Sequence, residues 1–280
     1  MDWLFTPFIN NTFLLRALLA GVLVSITCGI VGTFIVLRGL AFIGDALAHG
    51  VLPGIALAII FGYPGIIGAA VSAVVMIGGV SLITRKSNLS SDTAIGLLFV
   101  GMLALGVVIV SKSNSFSGDI VRILFGEILG INNQAILIQA AATLVIGITS
   151  YICFRPFLLL CFNPEQAQVS GFSIKIYHYF MLALIALAVI VSFQTVGTML
   201  VFGMLLAPAG TGALIAKRIE IMMLVAAIIG SISVFLGLLG SYYLNMAAGS
   251  TIVLTATIIF FAVLTYKNMK AKKNIQVEEN

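Results

Sequence analysis

Nine stretches of nearly unbroken apolar sequence dominate this chain, over roughly residues 13–37, 42–61, 65–84, 92–111, 134–153, 178–196, 198–216, 221–240 and 249–266. Each is close to the twenty or so residues that an α-helix needs to cross about 30 Å of hydrocarbon. In lipid every backbone N–H and C=O must be satisfied within the structure, so such runs are helices rather than open strands. They consume most of the 280 residues and leave only short connections. No sizeable water-soluble catalytic or ATP-binding domain fits between them. Composition agrees, with 61% of residues hydrophobic and 8% charged, against roughly 45–50% and 25% in soluble domains. The expected fold is all-α and polytopic: eight or nine transmembrane helices in one bundle. Residues 1–280 then form a single domain with a membrane core at about 13–266. The count turns on Pro53 and Pro208, each inside its apolar run. A missing N–H and a ring clash at these positions kink or interrupt a helix, and mark a kink or gate.

The sparse charge sets orientation. Fourteen Lys plus Arg against nine Asp plus Glu give a formal charge of +5, and Lys267, Lys270, Lys272 and Lys273 directly follow the last apolar run. Basic residues at a span end are retained on the cytoplasmic side, where they meet anionic lipid, so nucleic acid is a poor partner. With that end inside, nine crossings put Arg38, Arg85, Lys86, Arg155, Lys175, Lys217 and Arg218 on the cytoplasmic side and the N-terminus outside. The basic tail 267–280 is cytoplasmic, its last residues 274–280 are expected to be disordered, and residues 112–133 read as an outer loop with an amphipathic segment. Cys28, Cys153 and Cys161 have neither pairing nor metal-ligand spacing, so no disulfide is expected.

Against this background Asp45 and His49 stand out, four residues apart inside an apolar run. On a helix they share one face. A carboxylate away from water is costly unless paired, and a neutral imidazole beside it adds a nitrogen ligand for a cation. One reading is a transient divalent-metal or proton contact. The other is structural: Asp45 caps a helix starting near Ala46, His49 donates a hydrogen bond and Arg38 neutralises the carboxylate. An oxygen and nitrogen pair suits Mn(II), Fe(II) or Zn(II), and the cysteines offer no thiolate-rich copper site. His178, the other histidine, reads as an interfacial hydrogen-bonding residue at the start of a span.

A second pattern lies in the longest connection on the basic side, about 154–177. Asn163 as N-cap, Pro164 at the first helical position, Glu165 in the first turn and Gly171 as the stop spell a short helix. It is either an inert surface helix or one that carries force from a partner into the spans. The Gly-rich segment 196–213 around Pro208 reads as a bent element, for gating, dimer contact or packing alone.

Taken together, Leu37-Arg38-Gly39, Gly44-Asp45-Ala46-Leu47-Ala48-His49, Leu52-Pro53-Gly54, Asp92-Thr93-Ala94-Ile95-Gly96, Ile123-Leu124-Phe125-Gly126, Asn163-Pro164-Glu165 and Val196-Gly197 through Pro208-Ala209 occur in an order that resembles the ABC-3 family. That family comprises integral-membrane permeases of manganese, zinc and iron importers, and the resemblance covers roughly residues 11–266. It implies a type II ABC-importer-like bundle in a bacterial plasma or inner membrane. It further implies a second permease chain, two cytoplasmic ABC ATPase subunits that bind ATP, and an external metal-binding lipoprotein or periplasmic protein. It assigns Asp45 and His49 to transient cargo contacts, and Asn163, Pro164, Glu165 and Gly171 to the ATPase-coupling region. The family's frequent aspartate is Asn163 here, and the usual serine before the pathway histidine is Ala48. The turn Asn245-Met246-Ala247-Ala248-Gly249 lacks the acidic-plus-proline pattern of zinc-type relatives, which favours Mn2+ as cargo over Zn2+ or Fe2+. No phosphate-cradling GxxxxGK[ST] motif occurs, so this subunit is not expected to hydrolyse ATP. A chelated-metal importer and an ATP-independent secondary metal transporter are the alternatives.

Overall fold

The computed structural model describes residues 2–86, 90–111 and 128–278. The greater part of the expected outer loop, residues 112–127, lies outside the described residues. A short first helix, α1 (Asp2–Asn10), leads into α2 (Thr12–Arg38), followed by α3 (Ile43–Gly50), α4 (Leu52–Ile60), α5 (Gly65–Lys86) and α6 (Ser91–Ser111). After a 3-10 turn at Ile128–Gly130 come α7 (Asn133–Ile152), α8 (Phe154–Phe162), α9 (Pro164–Val169), α10 (Ile174–Val196), α11 (Thr198–Ile215), α12 (Ile219–Leu244) and α13 (Ala248–Glu278). Taking α3 and α4 as one interrupted crossing, nine helical segments among the described residues are long and apolar enough to span a bilayer. The chain is thus an all-α, multi-pass membrane bundle.

The two prolines behave differently. Pro53 sits in the first turn of α4, where its lost N–H would have had no intrahelical partner, and the helix divides at Val51 immediately before it. Pro208 lies inside α11, which stays helical from Thr198 to Ile215, so the expected interruption occurs at Pro53 and not at Pro208. The break near Pro208 falls earlier, at Gly197, whose φ of 89° and ψ of 160° belong to a region that essentially only glycine adopts. Helix α13 also departs from expectation, continuing to Glu278 through the segment expected to be disordered. Its Lys, Ala, Gln and Glu are good helix formers that favour continuation of the helix past the last apolar run.

Burial separates an inner set of helices from an outer one. About two-thirds of the α2 span and of the α3–α4 span is buried within the bundle, against 22% for the spans of α6, α7 and α13. The outer helices expose large apolar side chains such as Val74, Val100, Leu137 and Ile258. An exterior this apolar is stable against lipid tails and not against water. Helix α2 packs on α7, α10, α11 and α12, whereas α3 and α4 pack on α5 and α6. Helix α10 touches both groups, contacting α2 and α7 on one side and α3 and α5 on the other. Small residues permit the closest approaches. A methyl group on Gly54 of α4 would run into the carbonyl of Gly68 of α5, and one on Gly68 into the carbonyl of Gly54. The two backbones therefore touch directly, as small-residue pairs allow in membranes.

Candidate functional site

The C-terminus of α2 creates the turn that delivers the polar pair. Gly39 adopts a left-handed φ of 65°, its N–H bonding to the Val36 carbonyl while the Leu40 N–H bonds to the Ile35 carbonyl. These two bonds satisfy orphan carbonyls and end the helix. Four residues later α3 begins, carrying Asp45 in its first turn and His49 in its last. Helix α3 is cradled by α5, α6, α10 and α11, so the pair is held by four spans.

The Asp45 Oδ1 and His49 Nε2 atoms lie 3.4 Å apart. The side chains retain 34% and 24% of their exposure respectively, so both are reachable although the surrounding positions Ala46, Leu47 and Ala48 are buried. The His49 ring leans on Phe99 at 5.9 Å between centroids, and its Nδ1 is buried with no hydrogen-bond partner. A buried polar atom without a partner is uncommon in a purely structural role.

The cap and the counter-charge expected for Asp45 on the structural reading are not found. The cap position of α3 is Phe42, Asp45 makes no side-chain capping bond, and Arg38 bonds to His178 rather than to Asp45. What the pair can do chemically follows from its spacing. Two ligands held about 2.0–2.2 Å from a first-row cation, at roughly 90–110° to each other, sit approximately 2.8–3.6 Å apart. The observed 3.4 Å fits. Among the described residues no group of three or more His, Cys, Asp and Glu side chains is positioned to hold a metal ion.

The second sequence pattern lies at the basic end of the bundle. The Asn163 side chain accepts a 3.0 Å hydrogen bond from the Gln166 N–H, and Pro164 opens α9 with Glu165 in its first turn. Gly171, at φ 84°, closes the helix: its own N–H bonds to the Gln168 carbonyl and that of Phe172 to the Ala167 carbonyl. The short helix is thus capped at both ends as its sequence implies. Val169 is 90% exposed on this small unit, a large apolar side chain offered to solvent or to a partner. The structure does not bring this helix into contact with the Asp45 and His49 pair, and Pro53 and Pro208 make no part of either cluster.

Three features escaped the sequence reading because they depend on distant partners. Arg38 Nη1 donates to His178 Nδ1 at 2.8 Å, and the neighbouring Tyr179 hydroxyl meets the Ser81 hydroxyl at 2.6 Å. Deep between α2, α7 and α10, fully buried Gln139 bonds to Thr27, Ser192 and Thr195. The pattern of Gln139 within an apolar run was the only available signal. Cys28, Cys153 and Cys161 are all free. Burial pushes the Cys161 thiol up to about 11, against the opposing pull of the nearby Arg38 guanidinium.

Comparison with known proteins extends the description. The family model described as the ABC 3 transport family matches residues 10–267. The manganese import system permease protein ScaB of Streptococcus parasanguinis is 40% identical over 262 residues, covering 94% of this chain and 93% of that one. A protein of Haemophilus influenzae described as a probable iron transport system membrane protein is 36% identical, covering 97% of this chain and 99% of its own. Among solved structures, PsaBC from Streptococcus pneumoniae in complex with Fab matches with a TM-score of 0.83 and 36% identity, covering 93% of this chain and 94% of that chain.

Proposed function

Since this chain belongs to the ABC 3 transport family, we propose that it is the permease subunit of an ATP-driven importer of divalent metal ions, manganese foremost. The observation that carries the site assignment is the half-buried but reachable Asp45 and His49 pair, 3.4 Å apart in an otherwise apolar bundle. Similarity to a manganese import permease supports the choice of cargo. The similarity to an iron-named protein keeps Fe2+ as the second reading, with Zn2+ behind it.

In this mechanism an external binding protein releases the ion at the outer mouth, and two permease copies line the pathway. Each copy supplies one carboxylate oxygen and one imidazole nitrogen, so a pair of chains presents two oxygens and two nitrogens where one chain presents half. The carboxylates offset the charge of the cation in a low-dielectric passage. A site shared between two chains comes apart when they move, which favours release over retention. Two cytoplasmic ATPase subunits bind ATP and push on the region 154–177, where Asn163, Pro164, Glu165 and Gly171 build the capped helix α9. The C-terminus and the ends bearing Arg38, Arg155, Lys175, Lys217 and Arg218 face the cytoplasm, and the N-terminus faces outward. That assignment follows the basic bias of cytoplasmic loops.

The test is Mn2+ uptake into vesicles holding this chain with its ATPase and delivery protein. Asp45→Asn and His49→Ala should insert normally and lose about tenfold or more of their uptake, since even second-shell partners of a metal site cost about 10–100-fold. Undiminished uptake by correctly inserted variants would remove the pair from the pathway. Competition by Fe2+ and Zn2+ ranks the cargo, and uptake that persists without the ATPase would point to a secondary transporter.

A further inference from the structure

The segment that ends the coupling region is bolted to the helix that precedes the metal-contact pair, and the bolt uses groups that neither the pathway nor the ATPase contact requires. Arg38 is the last residue of α2, and only residues 39–42 separate it from α3 with Asp45 and His49. His178 lies just inside α10, seven residues beyond the Gly171 that terminates α9. Their 2.8 Å contact has one chemical solution. A guanidinium has donors only, so Nδ1 of His178 must be the unprotonated acceptor. The bond is charge-assisted and stronger than a neutral one. The next residue, Tyr179, bonds to Ser81 of α5, another wall of the pocket that holds α3.

Aromatic rings run alongside these bonds. Phe172, directly after Gly171, meets Tyr177 edge-on at 5.5 Å. Tyr177 meets Phe157 of α8 at 6.5 Å, and Phe157 meets Phe34 of α2 edge-on at 5.4 Å. Phe157 and Phe34 are almost completely buried. Close-packed groups of this kind move together rather than deform individually. The rings seat the end of the coupling segment against α8 and the body of α2, and the His178 contact is the one that joins α10 to the last residue of α2.

We propose that Arg38 and His178 form a latch that transmits movement of the coupling helix to the segment bearing Asp45 and His49. They are positioning residues: neither touches the cargo or ATP. The proposal rests on the importer reading above, in which residues 163–171 meet the ATPase. Its mechanical content is narrower. Breaking the latch should leave nucleotide hydrolysis intact and disconnect it from transport.

The experiment uses the complete complex of permease, ATPase and delivery protein in proteoliposomes, with Mn2+ as the probe and both uptake and ATP hydrolysis measured. For Arg38→Met and His178→Phe, Mn2+ moved per ATP hydrolysed should fall about tenfold or more, as expected for loss of a charge-assisted hydrogen bond. His178→Gln, which keeps an acceptor oxygen, should restore most of that ratio. Parallel loss of hydrolysis and uptake in all three variants, or an unchanged ratio in Arg38→Met and His178→Phe, overturns the latch. A second readout is independent of cargo: hydrogen exchange with and without vanadate-trapped nucleotide. Trapping should alter exchange in both 163–171 and 39–50 in the wild type, and only in 163–171 in His178→Phe. If residues 39–50 still respond in that variant, the latch is refuted even if wild-type Mn2+ transport succeeds. Absence of Mn2+ transport by the wild type counts instead against the importer reading.

Discussion

Replacement of Gln139 by leucine tests how polar contacts stabilise this bundle. Gln139 is fully buried at the junction of α2, α7 and α10. Its Nε2 donates to Thr27 at 3.3 Å and Ser192 at 3.4 Å, and its Oε1 accepts from Thr195 at 3.3 Å. All three lie at the long end of the hydrogen-bond range, so each is a weak bond. Interhelical polar contacts in membranes average about 0.6 kcal/mol, which puts the sum for three near 1–2 kcal/mol. Two of the three partners left behind limit the cost further. Thr27 also bonds to the Leu23 carbonyl at 3.0 Å, and Thr195 to the Val191 carbonyl at 2.9 Å, so neither hydroxyl is orphaned. Gln139→Leu, close to the original in size, should therefore cost about 1–2 kcal/mol in reversible unfolding in mixed micelles. Gln139→Ala leaves a cavity and should cost roughly 2 kcal/mol more. A loss above about 4 kcal/mol for the leucine variant, or equal losses for the two variants, would refute the reasoning that the network is individually weak and tightly packed.

Gly68→Ala drives a methyl group into the carbonyl of Gly54, so α4 and α5 must separate, with a destabilisation of about 1–3 kcal/mol that an unfolding titration would detect. Gly78→Ala, on the same helix where an added Cβ meets nothing within 4 Å, should be nearly silent in the same titration. The Cys161 thiol, raised to about 11 by burial, should alkylate slowly at pH 8, because the reactive thiolate is then only about one part in a thousand. Its labelling rate should climb as pH approaches that value, measured with Cys28 and Cys153 replaced by alanine. Arg38→Met removes the cation that favours the thiolate, so it should move the labelling curve to still higher pH. Rapid labelling at pH 8 would count against the burial of this thiol.

The apolar runs predict the helices closely because backbone satisfaction in lipid leaves a helix as the local solution wherever such a run occurs. The capped helix over Pro164–Val169 is equally local: Asn163 bonds to the Gln166 N–H three residues on, and Gly171 supplies the positive φ for the exit. Pro53 was legible as a breaking point for the same reason. Pro208 was not, since a proline ring leaves open whether the surrounding packing keeps the helix continuous, and here α11 persists. Asp45 and His49 were conspicuous because charge is scarce in this sequence and a four-residue spacing aligns them on one helical face. Whether Arg38 neutralises that carboxylate was a different kind of question. Arg38 is close to Asp45 in sequence, yet its partner is His178, 140 positions away.

By itself, then, the sequence determined the class of the protein, the positions of its spans, the capping of α9 and the identity of the polar pair, all of which depend on contacts within a few residues. The tertiary structure decided that the pair is half-buried with an unpartnered imidazole nitrogen, that Gln139 is wholly enclosed, and that Arg38 joins α2 to α10. The division has one physical cause. Satisfying a backbone in lipid is a local problem, whereas satisfying a rare polar side chain depends on which other helix lies within hydrogen-bonding reach, and only packing decides that.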